Sequence, residues 1–296
     1  MKYVITGGAG NISLPLSLAL LQAGHQVTVI SRNASNIQEL TAAGAVAAIG
    51  SLTDVAFLTE TFSGADAVYT MVPPMTQVSD WKAAIAGIGK NYAEAIKRSG
   101  VKYVVNLSSV GAHMPEGAGP VSGIHFVEKA LNELQEVNIK HLRPPFFYNN
   151  LLANVGMVKH MGIIGANYAL PEGKFPIVSP LDIAAKAAEA LLALDFKGHS
   201  VSYFASEEVS TDRIAKELGK AVGKTDLKWV QFTDEQALEG MIQAGLPVEI
   251  AKNYAEMNQA LHSGEMTADY FRNRPSSFGK VKLTDFAQTF ANVYNA

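Results

Sequence analysis

KYVITGGAGNIS, residues Lys2 to Ser13, passes from an apolar run at Tyr3-Val4-Ile5 into a glycine-rich turn at Thr6-Gly7-Gly8-Ala9-Gly10-Asn11-Ile12-Ser13. Leu14 to Leu21 continues with helix-like content that stops at Gly24, so the stretch is a strand, a turn and a helix. Such a turn points backbone N–H groups and the positive end of the helix dipole at one spot, which suits a pyrophosphate. Gly7 allows the tight turn and Gly10 lets phosphates approach the backbone. The third position of the pattern, usually Gly or Ala to keep the helix close to the strand, is Ser13, which is small and carries a hydroxyl that could assist a phosphate. An empty strand-to-helix turn would use the same glycines. Here a second apolar run, Gln26-Val27-Thr28-Val29-Ile30, completes a βαβ unit, and that context favours a dinucleotide held by Thr6, Gly7, Gly10, Asn11 and Ile12.

The second run ends at Ser31-Arg32-Asn33, where an acid would hold the ribose hydroxyls of NAD and an arginine suits the 2′-phosphate of NADP. No acid is present, so Ser31, Arg32 and Asn33 point to NADPH in preference to NADH; the competing reading of Arg32 is a surface charge closing a strand. A third run, Ala45 to Ile49, precedes a helix through about Phe62 that Thr53 or Asp54 should cap, and Asp54 is given no chemistry. A fourth, Ala67 to Val72, ends at Pro73-Pro74, taking Val72 and Pro73 to a strand's carboxyl end, where ligands bind in open α/β sheets. A helix from about Ser79 to Ser99, stopped by Gly100, leads to a fifth strand, Val101 to Leu107, which delivers Ser108 and Ser109 to the same edge. Strand and helix alternate throughout, which predicts a Rossmann-type, doubly wound parallel sheet.

Four motifs carry a family resemblance: TGGAGNIS at residues 6–13, VISRN after the second strand, VVNLSSVGA at the fifth, and RPPFFYNN at residues 143–150. As a set they resemble the NmrA-like branch of the atypical short-chain dehydrogenase/reductase superfamily, over nearly the whole chain. The resemblance implies a Rossmann core, NAD(P) binding, and either reduction of quinones or dyes by NAD(P)H or, in some members, redox sensing without catalysis. It also exposes a departure. The superfamily's Tyr-x-x-x-Lys pair is replaced by His125-Phe126-Val127-Glu128-Lys129. Positions 125 and 129 share a helical face, so His125 could replace the tyrosine as proton donor beside Lys129; alternatively His125 packs or caps the helix, and Lys129 holds a ribose or is solvated. Ser109 falls near the superfamily's serine position, or caps a strand end. In similar proteins the turn at Arg143-Pro144-Pro145 and the aromatics after it lie against the nicotinamide, which makes Pro145 and Phe146 cofactor contacts here, unless the aromatics are core.

The 296 residues, 48% hydrophobic and 17% charged, can bury a sizeable core, and a net charge of -3 gives no case for nucleic acid or an acidic membrane surface. With no cysteine, disulfides, thiolate catalysis and zinc-thiolate sites are excluded, and no metal site is expected. No apolar run reaches spanning length and the chain opens on a strand, so the expected compartment is the cytoplasm. Residues 1–150 are expected to form the NAD(P)-binding core and 151–296 a smaller substrate lobe with segments returning to the core. In that half helices are expected at 180–194, from the Ser210-Thr211-Asp212 cap to Val222, at 234–244 and at 247–262, with strands at 201–204 and 227–232. Met157, His160 and Met161 fall in a less ordered region. With Tyr148, Tyr254 and Met257 they could enclose a flat apolar molecule. The expectation is an NADPH-dependent reductase of a small planar acceptor such as a quinone. A non-catalytic sensor acting through a protein partner is the alternative, and the absent tyrosine argues against a sugar-nucleotide enzyme. Homo-oligomerisation and protein partners stay open.

Overall fold

Tyr3, Val4 and Ile5 lie in the first strand, β1 (Lys2–Ile5), and alternate between two hydrophobic clusters, Tyr3 and Ile5 in one and Val4 in the other. That is the signature of a parallel strand covered on both faces. In the computed structural model, which describes residues 1–296, the chain continues through α1 (Ser13–Gln22), β2 (Gln26–Ser31), α2 (Gln38–Ala42), β3 (Val46–Ile49) and α3 (Val55–Phe62). It then forms β4 (Ala67–Thr70), α4 (Trp81–Ser99), β5 (Tyr103–Leu107), α5 (Pro120–Asn132) and β6 (Asn138–Arg143). Beyond these come β7 (Phe146–Phe147), α6 (Val155–Met161), β8 (Ile164–Ala166), β9 (Phe175–Val178), α7 (Pro180–Ala193), β10 (His199–Tyr203) and β11 (Glu207–Val209). The last elements are α8 (Thr211–Ala221), β12 (Trp229–Gln231), α9 (Asp234–Gln243), α10 (Val248–Ser263), α11 (Glu265–Arg272) and α12 (Leu283–Asn295).

The main sheet has seven parallel strands in the order β10-β6-β5-β4-β1-β2-β3. The chain winds outward from β1 through β2 and β3, then returns to β4 on the other side, so the switch point lies between β1 and β4. The glycine turn leaves the carboxyl end of β1 at that point, where open α/β sheets hold their ligands. The far half of the chain is tied into this sheet. β10 pairs with β6 over five residues, and the buried Tyr3 hydroxyl donates to Leu191 O at 2.9 Å. The other strands of that half form a three-stranded sheet, β11-β9-β7, and a pair, β12-β8. A third cluster including Tyr148, Phe175, Trp229 and Phe290 is the core there. No helix is long and apolar enough to cross a membrane.

Helix ends follow their capping chemistry. Asp54 accepts from Phe57 N at 3.0 Å and so caps α3, while the Thr53 hydroxyl pairs with that of Ser51. Asp80 caps α4 by accepting from Ala83 N at 2.9 Å, and Gly100 closes it; Ser210 caps α8. Two expectations need correction. β4 stops at Thr70 because the Met71 N–H leaves the ladder and donates to Thr6 Oγ1 at 2.9 Å. The region of Met157, His160 and Met161 is the regular helix α6, which packs against α12 and leaves Met161 exposed.

Candidate active site

The glycine turn is shaped by a positive φ and a close approach. Gly7 has φ +95°, and a Cβ there would lie 2.6 Å from Ser13 Oγ and 3.1 Å from Met71. Within the turn Gly8 N–H donates to Ile30 O, Gly10 N–H to Gly7 O and Leu14 N–H to Gly10 O. The N–H groups of Ala9, Asn11, Ile12 and Ser13 have no partner in the chain. Four free donors at the start of α1, whose first turn carries no acid, form a cradle for an anion. The Ser13 hydroxyl is not part of that cradle: it donates to Thr6 O at 2.8 Å and pins α1 to β1. Thr6 is fully buried and joins the ends of β1 and β4 through its bond from Met71 N.

The loop after β2 touches this turn. A Cβ on Gly8 would lie 3.5 Å from Ser31 Oγ. Ser31 donates to Asn33 O, and Asn33 in turn accepts from Ser35 N, so both side chains serve the loop itself. Arg32 between them is exposed and makes no ion pair or hydrogen bond within the chain, leaving one free cation beside the cradle. Val72 and Pro73 lie in the irregular segment after β4, part-exposed on the same edge.

The carboxyl ends of β5 and β6 are organised by a buried ion pair that was not anticipated from the sequence. Arg143, 8% exposed, grips Glu128 of α5, 4% exposed, with Nε–Oε1 at 2.9 Å and Nη2–Oε2 at 2.6 Å. Ser108 donates to the same carboxylate. The remaining Arg143 nitrogen reaches Tyr203 at the end of β10 at 2.7 Å and Asp269 of α11 at 3.1 Å, and the Tyr203 hydroxyl donates to Asp269. Burial pushes the Glu128 carboxyl up, but the Arg143 fork, the nearby His141 and the Ser108 hydroxyl outweigh it and hold the group below its usual range. Behind the pair, His141 is bracketed by Asn106 at Nδ1 and Asn132 at Nε2, and burial lowers its pKa to about 4.

His125 and Lys129 share an accessible side of α5, whereas Glu128 is the residue that turns inward at that level. His125 Nδ1 lies 2.9 Å from Ala112 O, and since a carbonyl accepts, Nδ1 carries the proton. Its ring also meets Phe126 edge-on. Lys129 is exposed and unpaired.

A cavity of about 190 Å³ opens at the same edge. Ser109 and Val110 after β5 and Pro145, Phe146 and Phe147 after β6 form one side; Met257 and Leu261 of α10 and Met266 and Thr267 of α11 form the other. Val121 of α5, Asn150 and Pro176 of β9 complete the lining. Phe146 is fixed in β7 and packs on Phe175 with ring centroids 5.0 Å apart, so it is both sheet and cavity wall. Of the residues expected to enclose a ligand, Met257 lines the cavity. Tyr148, Met157, Met161 and Tyr254 do not. Tyr148 is buried, stacks on Phe286 and donates to Glu207, and Tyr254 packs on Trp81. His125 is also outside the lining. Met266 and Thr267 were missed because α11 is a short polar helix with no apolar run to announce it, and Asn150 closes the 143–150 motif but was given no role there. A larger open groove of about 560 Å³ lies between the C-terminal ends of α4 and α5, at the opposite edge of the sheet and away from the turn.

A parallel sheet with an anion-accepting glycine turn at its switch point, and a cavity on the same edge, defines a Rossmann-type α/β protein of the dinucleotide-binding kind. The chain belongs to the NmrA-like family, whose model matches residues 2–282. It is 26% identical to the NAD(P)H azoreductase of Xenophilus azovorans over 99% of each chain. Among solved structures it is similar to an NADPH-dependent quinone oxidoreductase from Escherichia coli, at 21% identity over 97% of this chain and 98% of that one, with a TM-score of 0.78. The triphenylmethane reductase of Citrobacter sp., solved with NADP(H), is similar at 19% identity over 97% and 99% of the two chains, with a TM-score of 0.80. At those identities the two structures share the fold.

Proposed function

We propose that the protein is an NADPH-dependent oxidoreductase that reduces a small planar acceptor such as a quinone. The observation that carries this reading is the placement of the apolar cavity on the same sheet edge as a turn whose Ala9, Asn11, Ile12 and Ser13 N–H groups are free. The azoreductase relative, matched end to end, supports the reaction class. Residues 1–150 supply the cofactor side, and the later half supplies the α10 and α11 wall.

The chain's groups fit an NADP-type dinucleotide. The free N–H groups of Ala9, Asn11, Ile12 and Ser13 bind the pyrophosphate, and Arg32 pairs with the 2′-phosphate. Gly7 and Gly10 keep side chains out of that space, and Thr6 holds the turn to β4. Val72, Pro73, Ser108, Pro145 and Phe146 border the nicotinamide end, with Lys129 directed to the ribose. Bound NADPH supplies the hydride, and a quinone that takes it needs one proton from outside the cofactor to become the hydroquinone.

That proton need not come from a tyrosine. Ser109, Asn150 and Thr267 are the polar groups of the cavity, and Asn150 is open to water, which can protonate the reduced product. His125 keeps its Nδ1 proton on Ala112 O, so it donates from Nε2 only as the imidazolium. Its first role is to hold the loop after β5 in place. The deciding experiment follows NADPH absorbance with a panel of quinones and azo dyes. Oxidation above background supports the reading; tight NADPH binding with no oxidation supports the sensor instead.

A further inference from the structure

The cavity of about 190 Å³ is small beside the pockets of about 300–1,000 Å³ that take drug-sized ligands. Two of its lining residues, Met266 and Thr267, come from α11. Met266 enters the cavity and rests against Gly111, where a Cβ would lie 2.7 Å from Met266 Cγ, so the loop after β5 leaves no slack behind it. Thr267 lies beside it, 3% exposed.

The attachments of α11 are uneven along its length. Its far end is anchored by the buried Tyr270, whose hydroxyl donates to Glu208 at 2.8 Å, and by Arg274, which pairs with the same carboxylate. Its near end joins α10 through the single residue Gly264, at φ +82°, where a Cβ would meet nothing within 4 Å. There the buried Met266 and Thr267 are the first side chains of α11 to face inward. Between joint and anchor sits Asp269, one turn beyond Met266, held by Arg143 and Tyr203. Arg143 is itself locked to Glu128 and lies two residues before Pro145 on the opposite wall. One guanidinium thus ties α11 to the strand that leads into Pro145 and Phe146.

We propose that Met266 and Asp269 set the size of the acceptor: Met266 closes the cavity, and Asp269 is the positioning residue that latches α11 to Arg143, so that single-ring quinones are admitted and fused two-ring quinones are disfavoured. This rests on the reductase reading above. The test does not depend on turnover. Protein loaded with NADP⁺ is titrated calorimetrically with 1,4-benzoquinone and with 1,4-naphthoquinone; the chain has no cysteine for either to alkylate.

The wild type is expected to bind benzoquinone more tightly. Met266→Ala should shift the affinity ratio towards naphthoquinone by about fivefold or more, in line with the worth of methylene-sized changes in an apolar pocket. Asp269→Asn should shift it in the same direction by a smaller factor. A ratio within about twofold of wild type in both variants overturns the proposal. So does an equal loss of both quinones, which is what mere unfolding of α11 produces, or a wild type that binds neither. If Asp269→Asn does not fold, Met266→Ala still decides. Failure of the reductase reading looks different: the ratio shifts as expected, yet NADPH is oxidised by neither quinone.

Discussion

The two sides of the site are built by different physics. The cofactor side is backbone: four free N–H groups between Ala9 and Ser13 and one loop arginine, contiguous or nearly so in sequence. The acceptor side is held by side chains. Glu128, Tyr203 and Asp269, from three separate places in the chain, meet at the buried Arg143 guanidinium, and Ser108 joins them through Glu128. A backbone cradle tolerates loss of side chains but not their addition, whereas a buried charge network tolerates neither partner's removal.

The sharpest way to break that contrast is at Arg143. Arg143→Met leaves Glu128 buried without its partner and is expected to cost about 3–5 kcal/mol of unfolding free energy, read by urea denaturation. A loss under about 1 kcal/mol would mean that the network is ornamental to the fold.

Acid offers a test without mutation. Burial holds the His141 pKa at about 4, below its unfolded value, so the unfolded chain takes up a proton that the folded chain refuses. Stability should therefore fall as the pH drops from about 6.5 towards 4, by roughly 3 kcal/mol. Glu128, held below its usual range, adds a further loss at still lower pH. Urea melts that coincide at pH 7 and pH 4.5 contradict this.

On the cofactor side, Gly10→Val should leave the melt within about 1 kcal/mol of wild type yet weaken NADPH by about 100-fold, the worth of two charge-assisted hydrogen bonds. Normal NADPH affinity in that variant would show the turn to be structural. Arg32→Asp is expected to lose about tenfold in NADPH affinity and the preference over NADH, which direct titration of both cofactors measures. Equal affinities in the unmutated protein remove its basis. The smallest effect is expected at His125, outside the cavity: His125→Ala should lower turnover by about threefold at all pH values through the loosened Ala112 loop. A loss confined to acidic pH would restore it as the proton donor.

The same contrast explains what was legible before the structure. Residues 2–31 carry strand, turn, helix and strand in unbroken order, and local signals there and beyond have local causes, from the φ of Gly7 to the cap at Asp54 and the stop at Gly100. The doubly wound parallel sheet follows from such signals, whereas the place of β10 beside β6 does not. The acceptor side does not. β7, β8, β9 and β11 have two to four residues each, too few to show alternation, and Glu128 reads as an ordinary helical charge until Arg143 is seen across from it. Of the methionines expected from the sequence, Met257 reaches the cavity and Met157 and Met161 do not, while Met266, which was not expected, does. Composition names the kind of residue a pocket uses; only the path of the chain says which copies reach it.

The seventh strand also has a consequence in time. β10 pairs with β6, and Tyr3 reaches Leu191, so β1 and β6 are both completed by the late segment that runs from α7 into β10. While the chain is being synthesised, β6 waits as an open edge and the face of α1 that α7 will cover stays wet. The Arg143 hub likewise waits for Tyr203 and Asp269. A nascent chain that ends at residue 150 therefore still lacks the strand that covers β6 and the helix that covers α1.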